Sequence, residues 1–193
     1  MKSFFHDYLY SSIKMLVNQL AISIFGVVLA MAAMAANSDT LTVIVSVFSI
    51  IFYLFLIYTM TWEIGAKDRV SVDIGKKPYR PHTGVLVALV ANIPNFLVAI
   101  LYSIAYSSMG TKVWAGSMNA VLTAISALSE GMYRGLLSVW TIGEVPAFRF
   151  WWSYFLIIVP CLLTAWVAYF AGFKNFRLVA AYFNKKPDQG KKK

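Results

Sequence analysis

The sequence has few of the residues on which catalytic, metal and disulfide chemistry depends. Among 193 residues there is one cysteine, Cys161, and there are two histidines, His6 and His82. A single cysteine excludes a disulfide within the chain, and no cluster of His, Cys and carboxylate residues has the spacing of a zinc site. The HExxH, GxSxG and phosphate-loop motifs are also missing. We therefore expect a protein that is not an enzyme, with no catalytic residue, no metal and no cofactor.

Charge is also scarce. Charged residues make up 13% of the chain and hydrophobic residues 60%, whereas soluble domains carry roughly a quarter charged residues. Much of the surface must therefore face lipid. The formal net charge of +9 is explained by membrane topology rather than by nucleic-acid binding, because Lys and Arg accumulate in cytoplasmic segments. The expected partner is the lipid bilayer, and we expect no binding to nucleic acid.

Long apolar runs are what the sequence has instead. Four runs of about 20 residues each lack Asp, Glu, Lys and Arg, which predicts transmembrane helices. They cover residues 16–36, 41–61, 85–107 and 150–172. The chain is thus predicted to be an all-α polytopic membrane protein, with one membrane domain over residues 1–193.

The segments between and beyond the runs differ in character. Residues 1–15 place apolar side chains on one helical side, which predicts a short interfacial helix. Residues 62–84 form a basic connection, in which the alternation over 70–74 predicts a small extended turn. Residues 184–193 are polar and charged, as is typical of a disordered basic tail.

The distribution of cations predicts the orientation. All but three of the 17 Lys and Arg residues lie in the N-terminal segment, the basic connection or the C-terminal segment. The other three, Lys112, Arg134 and Arg149, lie between the third and fourth runs. The positive-inside rule then places both termini in the cytoplasm. We expect a multi-pass plasma-membrane protein with the general appearance of a small bacterial one.

Residues 113–142 are apolar enough to enter a membrane but contain Glu130 and Arg134. A full crossing would give five spans and would place the basic C-terminal segment outside, against the charge bias. The preferred interpretation is a re-entrant or interfacial helical segment on the outer side. A hairpin would break at residues 129–131, and non-helical backbone at that depth must be covered by protein or water.

Small residues recur along this segment at helical spacing and predict a packing face, because they let helix backbones approach closely in lipid. The partner is this chain, a second copy or another membrane protein. The stripe consists of Gly116, Ala120, Ala124, Ala127, Gly131 and Gly135.

Glu130 and Arg134 are four residues apart, so they can pair on one helical face. Two interpretations remain open. The pair is an interfacial ion pair, or it lines a cavity or ion path, because ionisable groups at membrane depth are costly and often functional.

The third run contains a polar motif near mid-bilayer, Asn92-Ile93-Pro94-Asn95. Pro94 cannot donate to the carbonyl of Val90, which predicts a kink. Asn92 and Asn95 share a face that should turn inward, because bare amides in hydrocarbon are unfavourable. These amides hold neighbouring helices together, or they bind an ion or polar ligand as broken helices do in transporters.

The basic connection has three possible roles. Its cations are explained by topology alone, or they contact anionic lipid headgroups, or they dock a cytoplasmic protein. The residues concerned are Lys67, Arg69, Lys76, Lys77 and Arg80.

Two functions follow from these features. The leading hypothesis is a non-enzymatic accessory or assembly subunit of a membrane complex, which associates through helix packing. The alternative is a transporter or channel, or a subunit of one, with a polar site at the kinked third helix.

Overall fold

The computed structural model describes the backbone of residues 2–176 and the side chains of residues 7–176. The predicted tail at 184–193 lies outside this part. The described chain is mostly helical, with helices α1 Lys2–Ala35, α2 Asp39–Asp73, α3 Thr83–Ala91, α4 Ile93–Ser107, α5 Trp114–Glu130, α6 Arg134–Val139, α7 Ser153–Leu156 and α8 Val159–Phe173. The other regular elements are the antiparallel strands β1 Thr141–Ile142 and β2 Val145–Pro146, and the 3₁₀ turns Gly131–Tyr133 and Ala147–Arg149.

Three stretches of helix are long and apolar enough to cross a membrane. They are Asp7–Ala35, Asp39–Asp73 and Ser153–Phe173, and the bent pair α3–α4 makes a fourth if it counts as one span. Three to four such helices in a mostly helical chain agree with the predicted all-α membrane protein.

The long helices extend beyond the predicted spans. Helix α1 has no break at residue 15, so residues predicted as a separate interfacial helix form its first part. Helix α2 continues past residue 61 to Asp73, so the predicted extended turn at 70–74 is wrong. The reason is packing: Ile64, Gly65 and Asp68 are buried at helical spacing on the same face as the span, which keeps the helix intact.

The bundle has two ends that are used below as reference points. The turn end is the α1–α2 connection, where Asn37 has a φ of 51° and the backbone N–H of Leu41 donates to the Ser38 hydroxyl at 3.3 Å. This hydroxyl caps the start of α2. The opposite end, called the Asp68 end, contains Asp68 on α2 and the last turns of α8.

Helices α2 and α8 pack with their backbones almost in contact. A Cβ added at Gly65 would meet the carbonyl oxygen of Tyr169, and one added at Gly172 would meet the carbonyl oxygen of Trp62. Such close approach requires residues without a side chain, as in other membrane helix pairs. This contact positions α8 against α2 near the Asp68 end.

The interior is polar compared with the outer surface. On α2 the buried face carries Thr42, Ser46 and Ser49, while Phe48 and Ile51 on the other face are more than half exposed. Serine and threonine hydroxyls on the inner face bond back to the helix, as Ser46 does to the Thr42 carbonyl at 2.8 Å. This distribution fits a bundle surrounded by lipid rather than water.

The segment 113–142 enters the bundle and returns to the turn end. At its deepest part the Ser23 hydroxyl of α1 donates to the Ala127 carbonyl at 3.3 Å, and Gly131 packs on Ser23. Helix α5 stops at Glu130 and a 3₁₀ turn follows, which is the break predicted at residues 129–131. Helix α6 then ends at Val139, beside the α1–α2 turn.

Candidate functional site

The bend between α3 and α4 is centred on Asn92. The two helices differ in direction by 57°, and Asn92 ends α3 by donating its backbone N–H to the Ala88 carbonyl at 3.0 Å. Pro94 lies in the first turn of α4, where a missing N–H costs little, and its side chain is exposed. The kink is therefore present, and Pro94 itself faces away from the interior.

The side chain of Asn92 joins three helices. Its amide donates to the Ala88 carbonyl at 2.9 Å and to the Cys161 thiol of α8 at 3.4 Å. Its oxygen accepts from Asn95 at 2.9 Å and from Gln19 of α1 at 3.4 Å. We call Gln19, Asn92, Asn95 and Cys161 the amide cluster; all are nearly or fully buried.

The cluster leaves polar atoms without partners. Among the described residues, Gln19 Oε1 and Asn95 Oδ1 are buried and accept no hydrogen bond, and the hydroxyl of Tyr133 is likewise unpartnered. The rings of Tyr53 and Tyr133 meet edge to face at 6.4 Å between centroids. Buried polar atoms normally form a hydrogen bond with protein, water or ligand, so this region is suited to bind a polar ligand or an ion.

Glu130 lies beside the same region. It is 5% exposed and acts electrostatically on Tyr53, Tyr133 and Cys161. Within the described chain no hydrogen bond or ion pair reaches its carboxyl group. The end of α5 and the break that follows it thus place a carboxyl group in the interior, close to the unpartnered hydroxyl of Tyr133.

The Glu130–Arg134 pair suggested by the spacing is not formed in the described chain. The 3₁₀ turn at Gly131–Tyr133 interrupts the helix, so the two residues do not share a continuous helical face as an i, i+4 pair requires. The Arg134 guanidinium instead lies 3.9 Å from the centroid of the Phe148 ring, a cation–π contact.

A second polar cluster, at the Asp68 end, was missed from the sequence. Asp68 is 7% exposed and its Oδ2 accepts hydrogen bonds from Tyr8 of α1 at 2.7 Å and Tyr169 of α8 at 2.9 Å. The sequence does contain a sign of this cluster, because Ile64 and Asp68 continue the helical spacing of the second run beyond its end. We call Tyr8, Asp68 and Tyr169 the aspartate cluster.

An apolar layer separates the two clusters. Met15 on α1 and Ala165 on α8 lie in chain order between the two clusters, and they belong to one buried apolar cluster with residues of α2 and α3. The layer consists of Met15, Ile57, Val87, Ala88 and Ala165. The fully buried hydroxyls of Ser12 on α1 and Thr61 on α2 lie next to this layer, towards the Asp68 end, and make no hydrogen bond within the described chain.

The aspartate cluster supports a prediction of stability. Asp68→Ala removes the carboxylate that accepts hydrogen bonds from two buried tyrosine hydroxyls, which should lower the free energy of unfolding by about 1 to 3 kcal/mol. Asp73→Ala is the matched control, because Asp73 lies on the same helix but is exposed and paired only with Arg69 at 3.7 Å. Thermal unfolding in detergent compares the two. Equal melting temperatures for both variants would contradict the assigned role of Asp68.

The five basic residues of the connection are not equivalent. Lys77 forms an ion pair with Asp7 of α1 at 2.9 Å, and Arg69 pairs with Asp73. Lys67, Lys76 and Arg80 are exposed. Lys77 therefore connects the start of α1 to the connection, while the exposed cations lie on the surface at the Asp68 end.

The small-residue stripe divides into two parts. Gly131 and Gly135 pack within the chain, where Gly135 meets Ser46 of α2, and Ala127 is half-buried. The first part, Gly116, Ala120 and Ala124, is exposed. Within the described chain, therefore, Ala127, Gly131 and Gly135 are the stripe residues that pack against other helices.

Comparisons with family models, with curated proteins and with solved structures each found no match to this chain.

Proposed function

We propose that the chain is a multi-pass plasma-membrane protein with both termini in the cytoplasm. The spans are α1, α2, the bent pair α3–α4, and α7–α8, and residues 113–142 dip in from the outer side. The proposal is supported by charge, since the basic connection lies at the Asp68 end while the α1–α2 turn contains no Lys or Arg. The return of α6 to this turn supports the re-entrant path.

We further propose that the protein is a transporter or channel, or a subunit of one, whose site is formed by Glu130 and the amide cluster. The observation that supports it is a buried carboxyl group that has no partner within the described chain, in the same region as three unpartnered polar atoms. A bare carboxylate in such surroundings is strongly unfavourable. A proton or a bound cation must therefore neutralise it, and both are species that membrane carboxylates transport.

Two interrupted helices meet at this site. Helices α3 and α4 break at Asn92, and α5 and α6 break after Glu130. Broken helices at mid-membrane are a recurrent way to expose polar backbone and side chains to a transported ion. The apolar layer between the site and the aspartate cluster acts, in this proposal, as a closed gate on the cytoplasmic side.

The test is ion flux in proteoliposomes that contain a pH-sensitive or Na⁺-sensitive dye and carry a K⁺ diffusion potential. The unmodified protein should give proton or Na⁺ flux, and Glu130→Gln should reduce it to the level of empty vesicles. Glu144→Gln is the control, because Glu144 lies in the exposed β1–β2 turn. Flux unchanged in Glu130→Gln, or absent from the unmodified protein, would contradict the proposal.

A second candidate function is the accessory or assembly subunit. It is favoured by the exposed part of the small-residue stripe, where a Cβ added at Gly116 meets nothing within 4 Å. Affinity purification in nanodiscs tests it. A stoichiometric second membrane protein, lost when Ala120 and Ala124 are replaced by leucine, supports this function, and recovery of the chain alone argues against it.

A further inference from the structure

The turn end of the bundle contains a cavity that the proposed transport site does not use. Its volume is about 450 Å³ and it lies between α4, α5 and residues 145–150. Its lining includes four aromatic residues, Tyr102, Tyr106, Phe148 and Phe150, together with polar residues that include Arg149. This volume and this lining are typical of sites for small molecules.

One polar side chain in the cavity has no partner. Asn119 is 4% exposed, and within the described chain neither its amide nitrogen nor its oxygen makes a hydrogen bond. Two neighbouring hydroxyls already donate to backbone carbonyl groups, Tyr102 to that of Arg149 at 3.0 Å and Thr123 to that of Asn119 at 2.7 Å. A ligand that fits must therefore both donate and accept a hydrogen bond at Asn119.

The surroundings of the cavity face hydrocarbon. Gly116 and Ala120 line it and are exposed, and the outer faces of both helices beside them are apolar. These faces carry Leu101, Ile104, Met118 and Val121. The exposed Trp140 and Trp151 near this end are residues that favour the membrane interface. A ligand therefore reaches the cavity from the lipid phase, at the depth where lipid glycerol groups lie.

We propose that this cavity binds a lipid with a free hydroxyl group, of the monoacylglycerol class, with its acyl chain among the aromatic rings. A hydroxyl both donates and accepts, so it satisfies the two unpartnered atoms of Asn119. An ester or ether group only accepts and leaves the amide nitrogen unsatisfied, which costs affinity at a buried site. The cavity thereby favours a hydroxyl-bearing lipid over one whose polar groups only accept hydrogen bonds.

The test is photolabelling in nanodiscs with a monoacylglycerol that carries a diazirine on its acyl chain. Label should map to α4, α5 or residues 145–150, and unlabelled monooleoylglycerol should compete for it. Methyl oleate, which has the same chain and no hydroxyl, should compete about tenfold less well, the factor expected for one buried hydrogen bond. Equal competition by the two would overturn the proposal.

Amino-acid substitutions test whether the labelled lipid occupies this cavity. Asn119→Leu should reduce specific labelling about tenfold, whereas Asn18→Leu on α1, which contacts Met60 at 3.6 Å, should leave it unchanged. Because a buried substitution can affect folding, Ala120→Trp at the exposed edge of the cavity serves as a second block. Labelling that survives both Asn119→Leu and Ala120→Trp overturns the proposal.

Glu130→Gln should keep full labelling, so failure of the transport proposal is distinguishable from failure of this one.

Discussion

Replacing Gly65 with valine is expected to separate α2 from α8 and to destabilise the protein by more than about 3 kcal/mol. A Cβ at this position meets the backbone carbonyl of Tyr169 and lies 2.9 Å from the backbone nitrogen of Phe173. Backbone atoms within a helix cannot rotate away as a flexible side chain can, so one helix must move. Overpacking of a core usually costs 1 to 3 kcal/mol, and here the displacement also weakens the Asp68–Tyr169 hydrogen bond.

The matched control for this prediction is Gly116→Val. Gly116 is also helical, on α5, but its added Cβ meets nothing within 4 Å, so both variants share the same change in helix propensity and differ in the space available. Thermal unfolding in detergent should show a large decrease for Gly65→Val and a small change for Gly116→Val. Similar melting temperatures would mean that α2 and α8 do not approach closely at Gly65.

The apolar runs predicted the membrane helices because lipid imposes a simple requirement on composition. Each run without charge became a helix or a bent helix pair, and the bend occurs at the Asn92–Pro94 motif. The break of residues 113–142 after Glu130 was also predictable, since a carboxyl group and a glycine interrupt an otherwise apolar segment. These features depend on local sequence and on backbone hydrogen bonding, which lipid makes obligatory.

What the sequence did not predict depends on contacts between distant residues. Asp68 lies in the segment predicted as a basic connection, but Tyr8 and Tyr169, at separations of 60 and 101 residues, bond to its buried carboxylate. The extension of α2 to Asp73 has the same cause. Likewise, the spacing of Glu130 and Arg134 suggested an ion pair, and only the packed turn at Gly131 shows why their side chains separate. Such outcomes are set by tertiary packing, which overrides local propensity.

The arrangement of polar groups also bears on mechanism. In the proposed transport function, access from the two sides must alternate, and the apolar layer would be the part that closes one side. Opening would require movement of α3, because Val87 and Ala88 belong to the layer and Asn92 is the point at which this helix bends away. A helix already broken at one residue is a natural place for a hinge.

Asn92→Leu is expected to lower the free energy of unfolding by about 2 to 3 kcal/mol. The side chain makes four hydrogen bonds, to Gln19, Ala88, Asn95 and Cys161, and interhelical hydrogen bonds in membranes are worth about 0.6 kcal/mol each on average. Leucine also leaves the amide nitrogens of Gln19 and Asn95 without acceptors. Urea or thermal unfolding in detergent measures the loss.

Asn95→Leu distinguishes structural support from a transport site. Asn95 makes one side-chain hydrogen bond, to Asn92, and its oxygen is unpartnered, so its loss should cost only about 0.6 kcal/mol. If the unpartnered oxygen is part of the ion site, Asn95→Leu should nonetheless reduce flux in proteoliposomes as strongly as Glu130→Gln does. Normal flux in a stable Asn95→Leu variant would mean that the amide cluster has a structural role only, which is to hold α1, α3 and α8 together. A stable variant without flux would assign the oxygen of Asn95 to the transported ion.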